Sequence, residues 1–313
     1  MQNEDLLIGE VGKAGGLKSL LLACRPGTLL VGIGPVILGN ALGMKDQLVM
    51  QGQLTSFNWI LGLATFLFVV CLQSAANLVN DAKDFLSGVD TEKRLGPVRY
   101  TQTGLITVND VQALYRGLIF FALLMGSAFM MRGGWPVALI ALSSALVAYS
   151  YTGGPVPLSH YGMGEFLALI FFGPVAVGGS YYMQTLSVSQ EALFLGLGPG
   201  LISAAMMAIN NYRDRLSDQK VGKKTLAVFF GEAVFGRWFP FILLLASLII
   251  LVANRWQSGA WAPAVGVVLV GIGYLRSVLQ SLKAGEAALL NASLKKISFF
   301  NFIYCVLLSL CLW

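Results

Sequence analysis

Asn77, Asn80, Asp81 and Asp84 close one strongly apolar run, and Asn210, Asn211, Arg213, Asp214 and Asp218 close another in the second half of the chain. On a helix, Asn77, Asp81 and Asp84 fall at i, i+4 and i+7, and Asn80 and Asp84 at i, i+4, so amides and carboxylates share a broad face. Asp214 and Asp218 repeat the i, i+4 spacing. Carboxylates gathered at the edge of a hydrocarbon phase are costly unless positive charge sits between them, and hard divalent cations with oxygen ligands meet that need. The chemistry this implies is a magnesium-diphosphate site at a membrane boundary. One such motif alone reads equally well as an ordinary polar helix end, where Asn and Asp cap and solvate the exit. Its duplication beside basic loops favours a shared metal site.

The elements that position these residues are membrane spans. The chain has 313 residues, of which 56% are hydrophobic and 12% charged, against roughly 25% charge in soluble domains. That composition belongs to an integral membrane protein. The net charge of +6 therefore marks cytoplasmic loops rather than nucleic-acid binding. Cys24, Cys71, Cys305 and Cys311 lie in or beside apolar runs without metal-type pairing and read as small buried hydrophobes. His160, the single histidine, stands in a polar connection, which leaves a histidine zinc site or a serine triad without its parts. Glu4, Asp5 and Glu10 precede any apolar run, unlike a cleaved signal peptide, so the N-terminus is expected in the cytoplasm.

Segments of about 17 to 25 mostly apolar residues can span a bilayer. Nine are expected, at 26–44, 57–82, 112–131, 135–151, 163–185, 192–212, 233–253, 260–278 and 297–313, the last beginning after Lys295 and Lys296. With the N-terminus inside, only Lys45, Arg132 and Arg255 of the 21 Lys and Arg fall on the far face, as the positive-inside rule requires. The whole chain, 1–313, reads as one transmembrane domain with a cytoplasmic segment 1–25 and cytoplasmic cap loops at 83–111 and 213–232. Each loop follows an acidic motif and carries base: Lys93, Arg94 and Arg99 in the first, Arg213, Arg215, Lys220, Lys223 and Lys224 in the second. Span, acidic motif and basic loop thus recur as a distant internal repeat. Metals and direct cations together suit a polyanionic diphosphate and would neutralise charge as an allylic carbon–oxygen bond breaks. Arg25, at the entrance to the first span, is either another such contact or a snorkelling boundary residue. Tyr149 and Tyr151, with Phe171, Phe172, Tyr181 and Tyr182, offer packing or π faces for an allylic cation. Glu165 is either an acid favoured by a helix first turn or a contact to the acceptor or its proton network.

These motifs resemble the UbiA-type intramembrane aromatic prenyltransferases. Asn80-Asp81-Ala82-Lys83-Asp84 and the later Asp90 correspond to a first Asp-rich motif, and Asn211 to Asp218 to a second. Further similarity runs through Arg94-Leu95-Gly96-Pro97, Tyr151-Thr152-Gly153-Gly154-Pro155, Gly164-Glu165 and Gly222-Lys223-Lys224-Thr225. Within the superfamily the pattern is most similar to the branch that prenylates 1,4-dihydroxy-2-naphthoate in menaquinone biosynthesis. The resemblance implies an all-α bundle of nine transmembrane helices around a central cavity, capped on the cytoplasmic side. It implies two Mg2+ ions on Asn80, Asp84, Asp214 and Asp218, with Asp81, Asp90 and Asn211 as supporting ligands. It implies a polyprenyl diphosphate held by Arg25, Lys93, Arg94, Arg99, Arg213 and Lys223 and an aromatic acceptor; Asn77, Tyr149, Tyr151 and Glu165 are counted with the substrate-binding residues. Relatives acting on hydroxybenzoate often carry a lysine a few residues after the tyrosine; here Gly153, Gly154 and Pro155 follow Tyr151, against that acceptor. The implied reaction is magnesium-dependent transfer of the polyprenyl group to dihydroxynaphthoate with loss of CO2 and diphosphate, in the cytoplasmic membrane. The rivals are another aromatic acceptor, such as 4-hydroxybenzoate, homogentisate or a chlorin, and a secondary transporter, whose repeats look similar but place polar residues at the midplane.

Overall fold

The computed structural model describes residues 16–86, 101–102, 104–232, 237–258 and 261–313. Asp90, Lys93, Arg94 and Arg99 lie outside the described residues. The fold is all helical in the described residues: α1 Gly16–Ala23, α2 Pro26–Gln51, α3 Ser56–Leu86, α4 Val108–Ser150, α5 Gly164–Phe171, α6 Pro174–Thr185, α7 Gln190–Lys220, α8 Leu226–Gly231, α9 Arg237–Ser258, α10 Trp261–Ala284 and α11 Ala287–Leu310. Seven described stretches are long and apolar enough to cross a membrane, and two further apolar helices, Trp135–Ser150 and Trp238–Val252, are shorter. This is a multi-pass membrane protein. Many large apolar side chains, Trp59, Phe120, Met131 and Leu269 among them, face outward, as lipid contact allows.

Several boundaries differ from the sequence expectation. α4 is assigned as one helix but doubles back at Gly134, which has φ 70° and precedes Pro136 by two residues. An added Cβ on Gly126 would lie 2.7 Å from the Ala141 methyl, a contact between residues that a straight helix holds about 22 Å apart. The segment expected at 163–185 is broken into α5 and α6 at Phe172 and Gly173, because Pro174 cannot donate the next helical bond. The helix carrying the last span starts at Ala287, ten residues ahead of the expected 297. Its first turns are rich in Ala and Leu, good helix formers that continue past the apolar stretch. α3 and α7 likewise run on to Leu86 and Lys220, so the polar motifs sit on helical turns and the described loops are shorter than 83–111 and 213–232.

Small residues let these helices approach closely. Gly39 and Gly43 lie one turn apart on α2 and face Val177, Tyr181 and Gln184 of α6; a Cβ on Gly39 would overlap the Val177 carbonyl. Gly196 and Gly200 of α7 meet the α5–α6 break at Gly173 in the same way. α7 also packs on α9 and α11, and α11 on α2, placing α2, α3 and α7 around a common interior. At one end that interior is closed by neutral side chains. Asn40 Nδ2 donates to Thr65 Oγ1 at 2.9 Å, Gln184 Nε2 to Asn40 Oδ1 at 2.8 Å, and Asn58 Nδ2 to Gln184 Oε1 at 3.1 Å.

Candidate active site

A cavity of about 740 Å³ runs down the interior between α2, α3, α4, α5–α6, α7 and α11. On α3 its lining repeats at helical spacing through Thr65, Phe68, Leu72, Ala76, Asn80 and Asp84, a stripe about 28 Å long at 1.5 Å per residue. Apolar walls fill the lower part and polar residues crowd the mouth.

The mouth gathers both motifs. Asn77, Asn80 and Asp84 of α3 and Asn211, Asp214 and Asp218 of α7 all line the cavity, with Arg25, Arg213, Lys223 and Tyr151. Asp84 and Asp218 are buried, at 5% and 7% exposure. Asp81 turns to another face and accepts a 2.9 Å bond from Thr101 Oγ1. The cavity face of α3 is therefore Asn77, Asn80 and Asp84, at i, i+3 and i+7. Tyr149 is also off the lining, tilted against Tyr115 at 6.4 Å between ring centres. Phe171 and Phe172 line the cavity, whereas Tyr181 donates to Asp46 at 2.6 Å and Tyr182 to the Gly133 carbonyl at 3.1 Å. Glu165 sits behind the wall, taking a 2.9 Å bond from Asn211 Nδ2 on its Oε1.

Side-chain bonds set each group in place. Arg213 forks onto Asp214, Nε to Oδ1 at 2.8 Å and Nη2 to Oδ2 at 2.6 Å, and reaches Asn291 Oδ1 and Asn210 Oδ1 at 2.6 and 2.8 Å. Lys223 Nζ lies 3.4 Å from Asp218 Oδ1. The turn that carries Lys223 is anchored through Lys224 N–H to the His160 carbonyl at 2.9 Å. Asn80 Nδ2 donates to Thr152 Oγ1 at 3.1 Å, and Asn77 Nδ2 to the Cys24 carbonyl and Thr28 Oγ1 at 3.0 and 3.1 Å. Those last bonds brace Arg25, whose left-handed backbone, φ 55°, caps α2. A non-glycine residue there is strained, and such strain gathers at functional positions.

Burial holds the His160 imidazole below its usual range, helped by Lys223 and opposed by Asp84, so His160 feels a carboxylate of α3 together with a cation from the turn after α7.

The donor set consists of carboxylate and amide oxygens, which suits a hard cation. No three His, Cys, Asp or Glu among the described residues cluster as a ready-made metal cage. Magnesium characteristically takes one or two carboxylates and completes its shell with water and substrate phosphate, so Asp84, Asp214, Asp218 and the two Asn fit it in company with a diphosphate. Asn291, Lys295 and Ser298 also line the cavity from α11, although Lys295 by its position in the sequence looks like a headgroup and topology lysine and Asn291 and Ser298 were not expected there. Their i, i+4, i+7 spacing was a usable signal, obscured because the apolar run begins only after Lys296.

Relatives agree with this architecture. Residues 48–303 match the family model of the UbiA prenyltransferase family. A 1,4-dihydroxy-2-naphthoate octaprenyltransferase of Haemophilus influenzae is 34% identical over 234 residues, 73% of this chain and 74% of that protein. The enzyme of the same name from Escherichia coli is 32% identical over 74% of each chain. Among solved structures, a UbiA homologue from Aeropyrum pernix superposes with a TM-score of 0.61 at 14% identity, covering 90% of this chain and 96% of that one. One from Archaeoglobus fulgidus, bound to GPP and Mg2+, gives 0.59 at 17% identity, with 93% and 99% coverage. The chain belongs to the UbiA prenyltransferase family. It is an aromatic prenyltransferase of the membrane.

Proposed function

We propose that this protein transfers a polyprenyl group from polyprenyl diphosphate to 1,4-dihydroxy-2-naphthoate, releasing diphosphate and CO2 and giving demethylmenaquinol. The observation that carries this reading is one cavity with an acidic and basic mouth and a long apolar shaft, the shape of a diphosphate with an isoprenoid tail. The naphthoate acceptor is drawn from the names of the bacterial relatives. The protein is taken to sit in the cytoplasmic membrane with nine spans, its N-terminus and cavity mouth facing the cytoplasm, as its basic residues favour. Two cap loops, the first carrying Lys93, Arg94 and Arg99, would cover the mouth.

Asn80, Asp84, Asn211, Asp214 and Asp218, with Asp90, are the residues that would hold two Mg2+ ions. When bound, the metal supplies positive charge against the leaving diphosphate. Arg25 and Lys223 bind the diphosphate oxygens directly, joined by Lys93, Arg94 and Arg99. Arg213 acts differently: its fork is spent on Asp214, Asn210 and Asn291, so it positions Asp214. Asp81, turned to Thr101, supports the motif from outside the cavity. As the allylic carbon–oxygen bond breaks, its electron pair leaves with the diphosphate. The electron-rich ring forms the new carbon–carbon bond, and loss of its carboxylate as CO2 returns an electron pair to the ring. Apolar walls keep water from the cation, and the rings of Phe171 and Phe172 offer it π faces. Incubating the purified protein with labelled polyprenyl diphosphate, magnesium and competing aromatic acceptors tests the assignment. Prenylated naphthoquinol is expected; preference for hydroxybenzoate or homogentisate would replace the acceptor, and substrate uptake without product would favour a transporter.

A further inference from the structure

Lys295 and Lys296 stand side by side just before the last apolar run, where a pair of lysines ordinarily marks the membrane boundary. On α11 they part company. Lys296 Nζ donates to Ser277 Oγ of α10 at 3.1 Å and is off the cavity lining. Lys295 lines the cavity with Asn291, Leu294 and Ser298, the i, i+3, i+4, i+7 stripe of one helical face. Bonds on either side of Lys295 fix that face: Asn291 Oδ1 accepts from Arg213 Nη1 at 2.6 Å, and Ser298 Oγ donates to the Gly27 carbonyl at 2.8 Å. They also set its height. α11 runs parallel to α2, with Ser298 on Gly27 and Asn301 Nδ2 on the Val31 carbonyl at 3.4 Å, so one turn back from Ser298 and Gly27 lie Lys295 and the corner at Arg25. Lys295 is about 6 Å along α11 from Asn291, and its four-carbon stem lets the ammonium rise toward the polar mouth. Arg213 and Lys223, also in the cavity wall, are committed to Asp214 and Asp218. Among the described residues no hydrogen bond or ion pair engages the Lys295 ammonium.

We propose that Lys295 binds the diphosphate of the prenyl donor from the wall that α2 and α11 form. The carboxylates of α3 and α7 hold such a polyanion only through metal, and Lys223 meets it from the turn beyond α7. Oxygens on the α2 and α11 side need direct cations, and Arg25 and Lys295 supply them at one height. An ammonium grips phosphate oxygens as a point charge. Without a carboxylate partner, the charge of Lys295 is spent on the ligand alone, unlike that of Arg213 or Lys223. The chemistry it reads is an oxyanion, and a carboxylate on the acceptor or a lipid headgroup shares that chemistry, so the experiment separates the three. The inference rests on the prenyl-transfer reading and adds a donor contact from a helix that carries neither acidic motif.

The test uses full-length protein in nanodiscs of uncharged lipid and two readouts, the KM for each substrate in prenyl transfer and the Kd of inorganic diphosphate with Mg2+ by calorimetry. Lys295→Gln should raise the KM for polyprenyl diphosphate and the Kd of inorganic diphosphate about tenfold each, and leave the KM for dihydroxynaphthoate within about twofold. Lys295→Arg should restore most of the lost affinity, and Lys296→Gln should keep all three constants near wild type. If Lys295→Gln does not fold, Lys295→Met, which keeps the apolar stem, carries the same comparison. A rise confined to the naphthoate KM would give Lys295 to the acceptor carboxylate, and unchanged constants would leave it a boundary lysine among headgroups; either result overturns the assignment. A wild type that binds no diphosphate and transfers no prenyl group would instead overturn the prenyl-transfer reading itself.

Discussion

The two ends of the cavity both bury polar side chains, yet they are built in opposite ways. At the closed end, Asn40, Asn58, Thr65 and Gln184 are neutral and answer one another: Gln184 Nε2 reaches both Asn40 Oδ1 and the Asn58 carbonyl, and Asn40 Nδ2 both Thr65 Oγ1 and the Val36 carbonyl. At the mouth, carboxylates lean on cations, Asp214 on Arg213 and Asp218 on Lys223, and Ser159 and Glu165 keep unpaired atoms. A neutral network that closes on itself locks helices together. Charged groups held in tension at an opening are set to exchange partners when a ligand enters. The contrast separates polar residues that serve the fold from those that serve the chemistry, although Asp84 and Asp218 are as buried as Asn40 and Asn58.

The largest effect should come from the mouth. Asp84→Ala or Asp218→Ala is expected to lower turnover by about 100-fold or more while the protein still melts cooperatively, as read by product formation and thermal unfolding of the same sample. A variant that keeps near-wild-type turnover would remove that carboxylate from the site. Next, Arg213→Lys should cost about tenfold in kcat/KM, because an ammonium cannot reproduce the two-pronged grip on Asp214. At the closed end the signs reverse. Gln184→Leu strands Asn40 and Asn58 and should lower stability by about 1–3 kcal/mol, whereas turnover per folded molecule stays within about threefold. If Gln184→Leu instead behaves like Asp84→Ala, the division between the two ends fails. The smallest effect concerns pH. Folding holds the His160 imidazole below its ordinary value of 6.5, so the folded state binds its proton less readily than the unfolded chain does. The stability this contributes is present above about pH 6.5 and is lost as pH falls through the folded value. Thermal melts between pH 7.5 and 5.5 should show a slightly smaller decline for His160→Gln than for the wild type.

Local signals in the sequence account for much of this picture. The apolar runs, the carboxylate spacing and the Gly-Pro connection after Tyr151 are short-range features, and the helices follow them to within a turn at most ends. What stayed hidden depends on convergence through space. Asn58 and Gln184 are 126 positions apart, and Ser298 meets the Gly27 carbonyl from 271 positions away, so no window of sequence reveals either pair. Asp81 shows the limit of spacing arguments, since one step of helical phase, about 100°, sends it to Thr101 and leaves Asn80 in the cavity. Lys295 shows another limit: a lysine before an apolar run looks like a topology signal until α11 is seen to begin two turns earlier.

The central claim is that the α3 and α7 motifs act as one site on one diphosphate. A double-mutant cycle on Asp84→Asn and Asp218→Asn, measured as prenyl transfer at saturating magnesium and acceptor, tests it directly. If both carboxylates serve the same diphosphate, either substitution alone removes most of the activity and the double variant falls little further. Independent, multiplicative losses from the two substitutions would contradict the account.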